Sequence, residues 1–142
     1  ELGSEATLVM VGPTPLSAQD WETLSSAGVR LLGARAAAQI PAYLQPADVL
    51  VVPHLATEFT ESLDPIKPYE YRAAGRPVVA TPVAGFRDGG VQVQTVSAGK
   101  FPATVLEQLT RETPTVTDPE VPDWSDRVEQ MRAVLAEVDR AR

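Results

Sequence analysis

Ser62-Leu63-Asp64-Pro65-Ile66-Lys67-Pro68-Tyr69-Glu70-Tyr71-Arg72-Ala73-Ala74-Gly75-Arg76-Pro77-Val78-Val79-Ala80-Thr81 is the stretch that decides the fold. It is typical of a loop, a short helix, a turn and a buried strand, in that order. Gly75 and Pro77 predict a sharp end of the helix, because glycine is favoured just past a helix and proline cannot continue one. The apolar run after Pro77 then predicts a strand.

Two charged residues of this stretch are placed to bind an anionic ligand. Lys67 and Glu70 are three residues apart, so they share a face if both lie near or within the helix. The helix start offers backbone N–H groups and the positive end of the dipole, which suit a phosphate. Because proline prefers the first helical position, we expect the helix to begin at Pro68 with Lys67 at the cap. The ordinary alternatives are a solvated lysine and a surface glutamate in a favourable first-turn position.

The pattern D-P-x-K-x-Y-E-Y-x-A-A-G-R-P-V-V-A-T over residues 64–81 closely resembles the nucleotide-sugar-binding half of GT-B glycosyltransferases, particularly the large group that includes family 4. Residues 29–33, 40–44 and 47–53 look like the strand, helix and strand that precede the site in that family. Residues 123–128 look like the start of its last helix. The resemblance covers nearly the whole chain, and the central block is its specific part.

The resemblance implies roles for the two charged residues. Lys67 would be the catalytic residue that neutralises the diphosphate, as a mobile point charge. Glu70 would accept hydrogen bonds from both ribose hydroxyls through its two carboxylate oxygens. In the best-known form of the motif a glutamate eight positions before Glu70 contacts the donor sugar, and here that position is Ser62. Glu58 and Glu61 are nearby but out of register, so neither the sugar contact nor the retaining stereochemistry is implied.

Other candidate binding residues follow predicted strands. Gly33 and Arg35 stand where the family's loop wraps the base with backbone groups, and a simple turn before a helix explains them equally well. Gly12 and Pro13 lie at the same edge, where they contact ligand or only shape the turn. The single histidine, His54, comes just after a strand end and could contact ligand. No second ligand at metal spacing accompanies it, and we expect neither a metal nor another cofactor.

Composition and missing motifs exclude several classes of protein. The chain has 142 residues, 44% of them hydrophobic, which is typical of one soluble globular domain. A net charge of -7 argues against a nucleic-acid partner. The absence of cysteine excludes disulfides and fits a reducing compartment, so we expect a cytoplasmic location. No apolar run is long enough for a transmembrane segment, and no P-loop, dinucleotide or hydrolase motif occurs.

Periodicity predicts an α/β fold, a Rossmann-like parallel sheet with helices on both faces, in one nucleotide-sugar-binding domain over residues 1–142. The predicted strands cover residues 6–11, 29–32, 49–52, 77–83 and 91–96, the first buried and the last at an edge. The predicted helices run from the Ser17 cap to Gly28, over about 37–44, over the central block, over 101–111, and over 124–142 with an apolar stripe. Prolines 114, 119 and 122 indicate a linker over residues 113–123.

The edge of this sheet predicts where a ligand binds. In parallel sheets ligands bind at the carboxyl ends of the strands. The loops after Val11, Leu32, Val52 and Ala80 should therefore form one rim, with the central block on it.

One departure from the family concerns the sheet itself. The family's nucleotide-binding domain normally starts with a further strand and helix, and that strand lies in the middle of the sheet. This sequence begins after it, so we expect a fragment or one part of a larger enzyme. Either the first strand pairs directly with the third, in a flavodoxin-like order, or another polypeptide supplies the missing strand.

The resemblance implies the donor-nucleotide half of a glycosyltransferase that uses a nucleoside diphosphate sugar. A UDP-linked sugar is the donor that we favour. The implied partners are that sugar and a missing N-terminal acceptor-binding domain or a second chain. The isolated chain should then be inactive. Two alternatives stay open, a non-catalytic nucleotide-binding or assembly domain of the same fold and a fragment of a GT-B nucleotide-sugar epimerase.

Overall fold

The computed structural model describes residues 6–13, 15–87, 92–111, 121 and 123–140. The predicted linker over residues 113–123 lies almost entirely outside the described residues. The strands are β1 (Val9–Met10), β2 (Arg30–Leu31), β3 (Leu50–Val52), β4 (Val78–Ala80) and β5 (Val93–Thr95). The helices are α1 (Ala18–Ser26), α2 (Pro41–Leu44), α3 (Glu58–Glu61), α4 (Lys67–Ala74), α5 (Phe101–Thr110) and α6 (Trp124–Arg140), with a 3₁₀ turn at Ala37–Gln39 before α2.

All strand pairs are parallel, and helices surround the strands, which confirms the predicted α/β class. β1 pairs with β2, with Val9 opposite Arg30. The second sheet has the order β3-β4-β5, with Val79 of β4 opposite Val51 on one side and Gln94 on the other. β5 lies at the edge of this sheet, as its alternating sequence predicts.

Within the described residues the two sheets are not joined, because β1 and β3 do not pair with each other. The flavodoxin-like order is therefore wrong. β1 bonds to β2 through the carbonyls of Leu8 and Met10, which accept from Arg30 at 2.9 Å and Leu32 at 3.0 Å. Alternate residues of a strand bond to opposite sides, so the N–H and C=O of Val9 point away from β2. No described strand pairs with β1 on that side, and this edge is therefore open among the described residues. The edge of β3 away from β4 is open in the same way.

The hydrophobic core surrounds β4. Val78, Val79 and Ala80 are 1%, 0% and 0% exposed, because strands and helices cover β4 on every side. Val83 and Phe86, which follow the strand, are buried in the same cluster. The core therefore lies directly beneath the loops that carry the central motif.

The first strand differs from the prediction of a buried segment. Val9 is 44% exposed and Met10 is 39% exposed. β1 is bonded along one edge only, and no described element covers these side chains enough to bury them. The sequence pattern indicates a buried strand, but its covering partner is not among the described residues.

Local chemistry explains where several helices begin and end. Ser17 caps α1, since its Oγ accepts from the Asp20 N–H at 3.1 Å. The predicted helix over 37–44 is broken into a 3₁₀ turn and α2, because Pro41 has no N–H to continue the ladder. α4 ends at Gly75 in the left-handed conformation, with φ of 67°, as predicted.

Candidate functional site

The carboxyl ends of β3 and β4 form the floor of the candidate site. Thr81 follows β4 directly, and its Oγ donates to the His54 carbonyl at 2.6 Å. The Thr81 N–H also donates to the Val52 carbonyl at 3.1 Å. These bonds fix the loop that carries His54 against the end of the central strand.

The start of α4 faces the same edge, because the chain leaves α4 through Gly75 to enter β4 at its opposite end. Ile66 is the cap and is already in helical conformation, with φ of -75° and ψ of -18°. Its carbonyl accepts from Tyr69 at 3.0 Å and Glu70 at 3.3 Å. The helix therefore begins at Lys67, one residue before the predicted start at Pro68. The prediction was wrong because proline is also tolerated at the second position of the first turn.

Two backbone donors at this helix start are unused. The amides of Ile66 and Lys67 have no hydrogen-bond partner within the described part of the chain. Pro68 has no N–H, and no side chain caps the helix. The helix thus presents two N–H groups and the positive end of its dipole, which suits an anion.

Lys67 and Glu70 lie on this helix as the sequence predicts. Both side chains are exposed, and three residues separate them along α4, so they share a face. Neither side chain forms an ion pair or hydrogen bond with another described residue. Both charges are therefore available to a ligand.

His54 is within electrostatic reach of Lys67. Partial burial lowers the pKa of His54 below its ordinary value of 6.5, and the positive charge of Lys67 lowers this pKa further. The neutral form of the imidazole is therefore favoured at pH 7. The structure thus brings together Lys67 and His54, which are 13 residues apart in sequence.

A half-buried tyrosine, Tyr71, packs α4 against the core. The Tyr71 and Phe86 rings are 6.2 Å apart, between centroids, in a tilted arrangement. Burial raises the pKa of Tyr71, and the Glu70 carboxylate raises it further. On the outer side, Arg127 of α6 lies 5.4 Å over the Tyr69 ring and donates to the Tyr69 hydroxyl at 3.0 Å. α4 is therefore held from both sides.

Ser62 lies on the same side of the molecule, but its polar groups have local partners. It caps the end of α3, and its Oγ donates to the Phe59 carbonyl at 2.8 Å. The neighbouring Glu61 forms an ion pair with Arg87 at 2.6 Å. In this arrangement no carboxylate replaces the glutamate that the motif has at position 62.

Gly12, Gly33 and Arg35 form a second cluster, after β1 and β2. The Gly12 N–H donates to the Gly33 carbonyl at 3.0 Å, and the two glycines have φ of 139° and 70°. Arg35 donates through Nε to the Tyr43 hydroxyl at 3.0 Å and through Nη1 to the Ala34 carbonyl at 2.9 Å. These contacts shape a turn, and none of them links the cluster to α4. The structure therefore brings Gly12 and Gly33 together, and Arg35 beside Tyr43.

Sequence reasoning missed three contributors to the site. Thr81 could have been found as the first polar residue after a buried strand. α3 has a signal in Thr57, which caps it by accepting from the Thr60 N–H at 3.2 Å. The close approach of Gly85 to Pro65 gave no local signal, because the two residues are 20 positions apart in sequence.

The family model of the group 1 glycosyl transferases matches residues 1–111. The chain belongs to the group 1 glycosyl transferases. The match confirms the resemblance to GT-B glycosyltransferases, and it includes both clusters of candidate residues. No curated protein is similar enough to this group 1 glycosyl transferase to be matched.

Two kinds of feature were sought in this group 1 glycosyl transferase, a metal-binding cluster and a membrane-spanning helix. Among the residues that the structure describes, no three His, Asp or Glu side chains are grouped to hold a metal ion. Within the same residues, no helix has both the length and the apolar character needed to cross a membrane.

Proposed function

We propose that the chain binds a nucleoside diphosphate sugar at the start of α4, as the donor-nucleotide half of a glycosyl transferase. One observation carries the proposal, the exposed Lys67 beside two unpartnered backbone amides. A diphosphate needs concentrated positive potential and N–H donors, and this helix start offers both. UDP is the nucleotide to test first.

The same groups support the chemistry of glycosyl transfer. When the bond between the anomeric carbon and the diphosphate oxygen breaks, negative charge develops on the leaving diphosphate. Lys67 and the amides of Ile66 and Lys67 would stabilise that charge without reorganisation. Glu70, one turn further along α4, would accept hydrogen bonds from the ribose hydroxyls. Neutral His54 would line the same edge without adding charge.

We further propose that turnover requires another domain or chain. Among the described residues, the outer edges of β1 and β3 have no partner strand, and proteins normally pair or cover such edges. α6 supports it too, since its apolar stripe of Val128, Met131 and Leu135 is 47%, 61% and 56% exposed. The acceptor would be held by that additional part.

One observation favours a second candidate, a nucleotide-binding domain without catalysis. Ser62 occupies the sugar-contacting position of the motif, and its hydroxyl is bonded to Phe59. Glu61, the nearest carboxylate in sequence, is paired with Arg87. Such a domain would bind the nucleotide and leave the sugar uncontacted.

Calorimetry with UDP and uridine tests the proposed site. Lys67→Ala should weaken UDP binding by roughly 1 to 3 kcal/mol, the range for a charge-assisted contact, and leave uridine nearly unchanged. Glu70→Ala should weaken both, because ribose is its proposed partner. The matched controls are Lys100→Ala, at the cap before α5, and Glu22→Ala, on α1, both of which are exposed charges.

The controls decide how the result is interpreted. The site is supported if the α4 variants lose affinity and the controls do not. Equal UDP affinity in all four variants and the parent chain would place the nucleotide elsewhere and reject the proposal.

A further inference from the structure

The turn over residues 82–87 packs against the segment that leads into α4. Gly85 has φ of 79°, and a Cβ built on it would lie 2.6 Å from both Cγ and Cδ of Pro65. Real Cβ atoms essentially never approach that closely, so the backbone at Gly85 rests directly on the proline ring. Pro68, in the first turn of α4, is also close, with its Cγ 3.7 Å from the same point.

This turn is itself rigidly held. The Phe86 and Arg87 amides both donate to the Val83 carbonyl at 3.1 Å. Val83 and Phe86 are 2% and 1% exposed, so the turn is anchored in the core. Arg87 donates to the Pro82 carbonyl at 3.0 Å and to Glu61 of α3 at 2.6 Å. The Gly85 backbone is therefore a fixed surface.

Pro65 is directly before Ile66, whose carbonyl accepts the first hydrogen bonds of α4. The position of the proline ring consequently determines where the Ile66 and Lys67 amides point. We propose that Gly85 is a positioning residue, which sets the start of α4 by packing against Pro65. The inference rests on the proposed nucleotide site for its functional consequence, and its structural part stands without it.

The test compares Gly85→Ala with Gly28→Ala. Gly28 has φ of 82° and no atom within 4 Å of an added Cβ, so alanine there brings the same backbone strain without the contact. In Gly85→Ala we expect the amide NMR signals of Ile66, Lys67 and Tyr69 to shift. In Gly28→Ala they should stay in place.

The second step places both changes in a Pro65→Ala background, which removes the ring atoms that the Cβ meets. In that background, adding Gly85→Ala should not change the amide chemical shifts of Ile66, Lys67 and Tyr69 further, because the coupling between positions 65 and 85 is lost. If Gly85→Ala alone does not fold, folding of the double variant supports the contact. If Gly85→Ala and the double variant with Pro65→Ala both fail to fold while Gly28→Ala folds, the proposed contact is contradicted.

Ligand binding separates a positioning role from general destabilisation. Gly85→Ala should weaken the binding of UDP by about tenfold, the effect of losing one charge-assisted contact. It should also lower the ratio of UDP affinity to uridine affinity. Gly28→Ala should leave that ratio unchanged. If the parent chain binds no nucleotide, the proposed function fails while the amide shifts still decide the positioning role. If the parent binds UDP and Gly85→Ala behaves like Gly28→Ala in shifts and affinity, the positioning role is rejected and the site stands.

Discussion

At the scale of single residues, Lys67 and Glu70 are the two charges on which the proposed nucleotide site depends. Lys67 and Glu70 share an exposed face of α4, as their spacing indicates. Ser62 was predicted only by its register in a motif, and its bond to Phe59 depends on α3, a helix that was not predicted. Gly85 meets Pro65 only once the chain has folded, so no local pattern could reveal that contact.

The pKa of His54 depends on the charge of Lys67 and can be measured directly. Since the chain has one histidine, its imidazole NMR signals are unambiguous. We expect a pKa below 6.5 in the parent chain. Lys67→Ala should raise this pKa without restoring it fully, because burial is the larger cause. Bound UDP should raise it as well, since a nearby anion favours the imidazolium.

The sign of the pH effect on stability follows from the same shift. The pKa of His54 is lower in the folded chain than in the unfolded one. The stability that neutral His54 contributes is therefore present above pH 6.5 and is lost as the pH falls through the folded pKa. If Lys67→Ala leaves the NMR titration midpoint of His54 unchanged, the two side chains do not interact.

At the scale of elements, the order was predictable and the boundaries less so. α4 begins one residue earlier than predicted, because the backbone of Ile66 is already helical. β4 ends at Ala80 rather than Val83, since the Val83 N–H donates to the Thr81 carbonyl at 2.8 Å and the chain turns there. α3 was missed because its four residues are too few for a periodic signal. Such ends depend on caps and turns, which sequence periodicity does not encode.

The capping of α6 shows an end that sequence could indicate. Asp123 and Asp126 bond reciprocally to each other's N–H groups at 3.0 and 2.8 Å. The bond from the Asp126 N–H lowers the pKa of Asp123, and a bond from the Ser125 N–H lowers it further. The sequence Asp123-Trp124-Ser125-Asp126 has the spacing of a capping box, which agrees with the predicted start at Trp124.

At the scale of the whole molecule, the sequence predicted the parallel class and left the strand order open. Two possibilities followed from the missing strand, and the separate β1–β2 and β3–β4–β5 sheets exclude the flavodoxin-like one. The choice depends on pairing between distant strands, which local patterns cannot determine. The exposed Val9 and Met10 show the consequence of an unpaired edge.

This open architecture predicts no transferase turnover from the chain alone. Holding an acceptor in line can contribute about 7 to 11 kcal/mol to lowering the barrier, and no part of the proposed site does so. The assay incubates the chain with nucleotide sugars and candidate acceptors and follows released nucleoside diphosphate. Acceptor-dependent release that Lys67→Ala abolishes would show that these 142 residues contain a complete active site.

The central claim is that a nucleotide binds at the start of α4, and one NMR titration tests it most directly. The isotopically labelled chain is titrated with UDP, GDP, ADP and dTDP while every backbone amide is followed. We predict weak, saturable shifts with at least one of them, concentrated at Ile66, Lys67 and Tyr69 and at His54 across the rim. No shift with any of the four, or shifts confined to α1 and α6, would contradict the account.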